Sequence, residues 1–413
     1  MKPLPPRFRE DVRRRLRERA QAEGLDGLLL LGSGNLAYAT GWHFSVNERP
    51  MGLWLPVEEE ALLLVPHLEL ENAMDIPGVE VRTYQEFPGE CPPVLWMIEE
   101  AGAGRMAVDT LQAELLAEAR AKLKRLELVD YAKPERAVKG AAELILIQEA
   151  ARFADLVLER LLEMGGDIIG HGGTEQDLLT DCTGHVGEVL LATHGDAFQG
   201  TRTRITASIH SGPRAALPHG TVTARQPLPG EPIVAGIGCS LGGYHAESGV
   251  TFVLGEIQPE QLRVMEAMAE AGAATVHALE RGWPCSRVNE AALGAIRDAG
   301  LADTIRHRIG HGMGVEGHEA PWLAPGDSTL TTAGMVFSCE PGVYRPGVDG
   351  WRTIDTLVVG PDGVDLASRF QTDHPFETRT LPCWGVEACP NPPPGDIRRS
   401  PSRCSTFPPR TSC

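Results

Sequence analysis

The twelve residues GHGMGVEGHEAP, positions 310–321, hold two histidines, His311 and His318, two glutamates, Glu316 and Glu319, and four glycines. Imidazole nitrogens and carboxylate oxygens are what a divalent cation takes as ligands, and they also hold and move protons near neutral pH. If a metal is bound here, further carboxylates must come from elsewhere in the chain. Cys239 and Cys339 are the candidates for a cysteine–histidine nucleophile. Their apolar neighbours in GIGCSLG and MVFSCEP suit small buried fillers better.

These residues need a scaffold, and 413 residues are too many for one ordinary core. Up to about residue 130 helical and strand patterns alternate. A charged helix over 6–24 leads into an apolar strand at 26–31, a helix near 35–40, a strand at 61–65 and a helix near 111–124, which is an α/β domain. GSGNLA at 32–37 fits a dinucleotide pattern only formally and reads as a plain turn. The proline and charges of YAKPERAVKG, 131–140, read as a linker. Ile147, Ala151, Ala154, Leu158 and Leu161 then share one face of a helix, and a second helix opens at Pro259. Strand-like segments at 204–210, 232–238, 244–254, 335–340 and 352–359, with Gly242–Gly243 as a hairpin turn, make the second domain α+β.

The composition excludes several classes. A net charge of −18 argues against a general nucleic-acid binder. No apolar run of membrane-spanning length occurs, so a membrane partner is not expected and the cytoplasm is the natural compartment. Cysteines form no CxxC pair, and the five before residue 383 suit reduced thiols. Residues 383–413 differ in kind, with seven prolines, four arginines and four cysteines, and read as a disordered or artefactual tail without a function.

SGPRAALPHG (211–220), GHGMGVEGHEAP (310–321), MVFSCEPGVYRPG (335–347) and GWRTID (350–355) occur in that order. Together they resemble the M24 family of pita-bread hydrolases, which includes prolidase, aminopeptidase P and the metal-free creatinase. LDGLLLLGSGNLAYATGW (25–42) resembles the creatinase-type N-terminal domain. The resemblance implies an α/β creatinase-like domain over 1–132 and an α+β pita-bread domain over 133–382.

In the metallopeptidase branch the resemblance also implies two metals held by Asp, Asp, His, Glu and Glu. His311 and Glu340 fill the His and one Glu position, and Glu247 in GYHAESG stands for an Asp. Gly236 and Ile354 stand at the other two, and neither can ligate a cation. A dinuclear centre is therefore not expected. Creatinase is similar in keeping a Glu at the position of Glu247, and that likeness implies His219 as acid/base with Glu247 and Glu340 as its catalytic partners. His311, His318 and Arg352 then become substrate-binding, Arg352 through a bidentate grip on a carboxylate or, in a structural role, through a salt bridge to Asp355 or a neighbouring Glu.

The expectation is a hydrolase that opens a C–N bond of a small substrate with no metal cofactor. One alternative is an Xaa-Pro dipeptidase or aminopeptidase P using a single Mn, Zn or Co on Glu247, His311 and Glu340. The other is an inactive pita-bread binding protein. A small molecule or dipeptide and a second copy of the chain, as a homodimer, are the expected partners, and Arg49 is a candidate to reach the partner's site. Glu316 and Glu319 are expected to shape their loop. His43, His67, His194, His210, His245 and His307 are expected on the surface or in loops.

Overall fold

A computed structural model describes residues 1–86, 89 and 91–383. Helix α1 (Pro6–Ala22) begins with proline in its first turn, where the missing N–H costs nothing, and buries Val12, Leu16 and Ala20. Strands β1 (Gly27–Leu30), β2 (Gly52–Pro56), β3 (Ala61–Pro66), β4 (Val79–Tyr84), β5 (Arg105–Val108) and β6 (Arg125–Leu128) form one mixed sheet in the order β4-β3-β2-β1-β5-β6. The apolar strand β1 is central and buried on both faces, as a continuous apolar run requires. Helices α2 (Ser33–Thr40), α3 (Leu70–Ala73), α4 (Pro93–Glu100) and α5 (Leu116–Lys122) complete this α/β unit.

GSGNLA is not a plain turn. Its residues from Ser33 onward open α2, which stops at Gly41 because only glycine takes φ 80° there without strain. The dinucleotide reading does fail, for a physical reason. The amides of Leu31 and Gly32 and the Asn35 side chain all donate to the Asp109 carboxylate, so the donors a phosphate would need are spent. The expected linker also folds, as α6 (Ala132–Ala137).

Helix α7 (Ala141–Gly170) buries the predicted face Ile147, Ala151, Ala154, Leu158 and Leu161. Helix α8 (Glu175–His194) starts with a capping box between Thr174 and Asp177. Strands β7 (Arg204–Ser211), β8 (Pro232–Leu241) and β9 (Tyr244–Leu254) pair antiparallel, and Gly242 and Gly243, both at positive φ, make the expected two-residue hairpin turn. Helices α9 (Pro259–Glu280) and α10 (Cys285–Asp298) follow, packed on each other.

A second sheet holds β10 (Gly310–Gly312), β11 (Glu319–Leu323), β12 (Val336–Cys339), β15 (Asp355–Val359) and β16 (Val364–Leu366) in the order β11-β10-β12-β15-β16. Between β12 and β15 the chain makes the hairpin β13 (Gly342–Arg345) and β14 (Asp349–Arg352). Strand β17 (Thr380–Leu381) adds parallel to β9. The two sheets are stitched together beside the cavity described below. Gly249 and Ile354 exchange backbone hydrogen bonds at 3.0 and 2.7 Å, and the Thr356 hydroxyl bonds both N and O of Glu247. Among the described residues no helix is long and apolar enough to cross a membrane. Of the expected tail only Cys383 lies within the described residues.

Candidate active site

Strand periodicity assembles the floor of a cavity of about 640 Å³. Alternate residues of a strand share a face, and cross-strand partners share it too. Ser208 pairs with Gly236, Gly236 with Gly249, and Gly238 with Glu247, which puts these residues of β7, β8 and β9 on one side of their sheet. From the other sheet, His311 pairs with Ser338, and Glu340 follows two residues later on the same side.

His311 is the hub. It is buried, and its Nδ1 meets the Gly312 carbonyl at 3.1 Å, which leaves Nε2 toward the cavity. Glu340 Oε1 lies 2.9 Å from Nε2 and Glu247 Oε2 3.8 Å from it. Glu247 is beyond hydrogen-bond distance, and among the described residues Nε2 has charged neighbours but no well-aligned hydrogen-bond partner. His318 stacks on His311 with ring centroids 3.9 Å apart, and its Nε2 stands 3.8 Å from Glu247 Oε1. Ser338 Oγ donates to Glu247 at 2.8 Å.

The two carboxylates are pushed apart electrically. Burial, and then the charge of Glu340, raise the Glu247 carboxyl well above the usual carboxylate range. Burial acts the same way on Glu340, but His311 and Arg352 outweigh it and hold that carboxyl low. For His311, burial opposes the charged form, yet the neighbouring carboxylates prevail and raise it.

Arg352, at the end of β14, is buried, with 8% of its side chain exposed. One guanidinium nitrogen stands 4.0 Å from Glu340 and 3.4 Å from the Pro218 carbonyl, and among the described residues Nε has no partner. A methyl group on Gly236 would overlap this guanidinium, so the bare backbone of β8 is what makes room for it. Ile354 is buried likewise, its side chain lying over Gly249. Gly236→Ala is therefore expected to fold normally, because the obstructing group is the end of a flexible side chain. By displacing Arg352 it should raise KM for a carboxylate-bearing substrate about tenfold, the equivalent of about 1.4 kcal/mol. Steady-state kinetics beside a thermal unfolding curve check this.

The 310–321 loop is held from behind. Glu319 takes Lys139 Nζ at 2.9 Å and Arg136 Nε at 3.1 Å, and Arg136 also grips Glu316. Arg136 donates in turn to Asn35 at 2.8 Å, and Asn35 to Asp109, so the network reaches the N-terminal sheet. The glutamates do shape the loop, as expected, and do so through α6.

The cavity wall carries His219, Glu247, His311, His318, Glu340 and Arg352, every residue expected to be catalytic or substrate-binding, and Gly236 and Ile354 with them. His219 is exposed at the rim. Arg352 makes no pair with Asp355, whose carboxylate instead takes Ser368 and Gln371. Arg49 is bound to Glu48 and Glu86 of its own chain. Cys239 and Cys339 are buried, and burial pushes both thiols up to about 12, as fillers rather than nucleophiles.

For three of the six histidines expected on the surface or in loops, the reading needs correction. His210 is buried in β7, the ring of His194 is 5% exposed at the end of α8, and His245 on β9 is tied to the Gly314 carbonyl. His43 keeps a buried, unpartnered Nε2. His67 is exposed, and His43 and His307 lie in loops, as expected. His307 lines the cavity, with Nε2 2.9 Å from the Tyr344 hydroxyl, and Arg306 and Arg308 flank it. The dense run RHRIGHG was the available signal for these three.

Among the described residues, Glu247, His311 and His318 each bring one ligand atom within 4.8 Å of the others, a set able to hold a single cation. The expected single-metal set had Glu340 in place of His318. Glu340 is instead drawn against His311 and toward Arg352. The orphaned Nε2 of His311, with its ring oriented through Nδ1, suits a ligand role.

A creatinase-like α/β domain joined to a pita-bread α+β domain, with carboxylates and histidines on one cavity wall, is the architecture of a peptidase-type hydrolase. Residues 145–361 match metallopeptidase family M24 and residues 13–138 the Creatinase/Prolidase N-terminal domain; the chain belongs to family M24. It is 30% identical over 348 residues to the "Probable dipeptidase PepE" of Mycobacterium tuberculosis, covering 82% of this chain and 89% of that one. It is 26% identical over 340 residues to the Xaa-Pro dipeptidase of Pyrococcus horikoshii, covering 82% and 91%. The crystal structure of dipeptidase PepE from Mycobacterium ulcerans superposes with a TM-score of 0.78 at 26% identity, over 92% of this chain and 100% of that one.

Proposed function

We propose that this protein is a dipeptidase-type hydrolase that opens the C–N bond of a small dipeptide-like substrate, at a centre with room for one divalent cation at most. The observation that carries the reading is the convergence of Glu247, Glu340, His311 and Arg352 on one cavity wall, in a chain whose relatives are named dipeptidases. Gly236 and Ile354 stand where the M24 pattern implies Asp and Glu, and the Arg352 guanidinium takes the space a side chain at 236 would need. On this reading a second metal lacks two of its ligands. Glu247 and His311, with His318 or Glu340, would hold the first. When bound, such a cation polarises the scissile carbonyl and lowers the pKa of its water. Arg352 would orient the substrate through a carboxylate, and His219 at the rim would hand a proton to the leaving nitrogen.

One observation favours a second, metal-free reading. Arg352 is already a fixed cation beside Glu340, and His219 with the two glutamates could act on a cationic small substrate without a Lewis acid. A homodimer, a cytoplasmic location and a domain boundary at residues 132–133 belong to the same proposal.

Turnover of Ala-Pro and other dipeptides, with added Mn and with chelator, separates the readings. Turnover stimulated by Mn and lost in chelator supports the one-cation hydrolase. Turnover of a guanidino or amide compound, indifferent to chelator and lost in His219→Ala, would put the metal-free reading in its place. No turnover of either kind would leave a binding protein.

A further inference from the structure

The charge around the cavity is opposite to that of the chain. The protein carries a net −18, yet the wall holds Arg306, Arg308 and Arg352 with four histidines against only Glu247 and Glu340. Both glutamates are already engaged, Glu247 by Ser338 and the two stacked histidines, Glu340 by His311 and Arg352. The arginines at the mouth are not. Arg306 reaches only the backbone carbonyls of Asp303 and Ile305. Arg308 holds the Gly310 carbonyl at 3.0 Å and lies 4.5 Å over the Trp322 ring. A side recess sharing Thr206, Gly238, Glu247 and His318 with the main cavity adds Arg202, Arg204 and Glu316, whose carboxylate Arg136 already holds. Among the described residues none of these four arginines meets a carboxylate. In so acidic a chain, uncompensated arginines would not gather at one opening by composition alone. Such a cluster raises the local concentration of anions and steers them inward.

We propose that the preferred substrate carries a second acidic group, a side-chain carboxylate, which Arg306 and Arg308 meet at the mouth while Arg352 takes the carboxylate at the inner end. This rests on the dipeptidase reading and deepens it to a substrate class, acidic dipeptides. Arg308 is pre-positioned by Gly310 and Trp322, and a planar guanidinium so fixed loses little freedom on gripping a carboxylate.

Ala-Glu and Ala-Gln match in shape and differ in that charge, so they are the probes, applied to the intact protein by calorimetry and by turnover. Ala-Glu is expected to bind at least about tenfold more tightly, with the advantage shrinking as salt rises. In the double variant Arg306→Gln/Arg308→Gln the advantage should disappear. Arg308 supports the backbone beside His311, so Arg306→Gln, which touches only its own loop, serves as the second variant and should cut the advantage several-fold. Affinities within twofold of each other, an advantage that survives the double variant, or binding of neither probe would overturn the proposal. Preferential binding of Ala-Glu without turnover would keep the acidic site and remove the hydrolase reading. Equal turnover of both probes would do the reverse.

Discussion

His311→Ala is expected to lower kcat/KM on any dipeptide substrate by about 10²–10⁴-fold, the range seen when a positioned proton-handling or ligating group is removed. The imidazole lies 2.9 Å from Glu340 and 3.8 Å from Glu247, against both carboxylates at once. Without it, two buried acids face each other with Arg352, 4.0 Å from Glu340, and the half-exposed His318, 3.8 Å from Glu247, as neighbours. The protein must then protonate one acid or pull the pair apart, and either outcome ruins the spacing that a substrate or a cation needs. Steady-state kinetics with a thermal unfolding control check the result. Activity within a few-fold of the parent would remove His311 from the centre of this account.

Glu319→Ala is expected to be the most destabilising single change near the site, by about 3–5 kcal/mol, since it strands buried Arg136 and Lys139 without their shared carboxylate. For a domain of this size that is on the order of 10 °C in Tm. Removing both sides of the pair, as Arg136→Met with Glu319→Met, should cost less than the sum of the single changes. Burial alone would raise the Glu319 carboxyl, but Lys139 and Arg136 outweigh it and hold it below the usual range. A carboxyl lowered on folding stabilises the native state above its unfolded pKa, and that stabilisation fades as pH falls through the lowered value. The gap in Tm between parent and Glu319→Gln should accordingly narrow toward acid. A gap that stays constant or widens would show that the ion cluster does not anchor the loop.

Much of the architecture was legible wherever periodicity was strong. The apolar face of α7, the proline start of α9 and the Gly242–Gly243 turn follow from patterns that a few neighbouring residues carry by themselves. The helix within the linker was not foreseen, for the opposite reason. The short helix α6 has little periodicity of its own, and its buried Arg136 has a purpose only once Glu319 and Asn35 are beside it. His194, His210 and His245 were misread similarly, because nothing adjacent in the chain tells a buried His210 from an exposed one. The site residues were reached through ordered motifs. Their spatial meaning was not, since the entry of Arg352 into the space above Gly236 depends on which strands lie side by side. Ser338 and His307 were missed on the same grounds. One owes its place to the β10–β12 register and the other to a contact with Tyr344.

The number of metal ions each chain holds decides between one cation and two. Protein purified in chelator, loaded with excess Mn and freed of unbound ion should hold no more than one Mn per chain by elemental analysis. Glu247→Gln and His311→Ala should each reduce that figure toward zero. Two tightly held ions per chain would contradict the account, because neither Gly236 nor Ile354 could ligate the second and the Arg352 guanidinium would have to leave the place it fills.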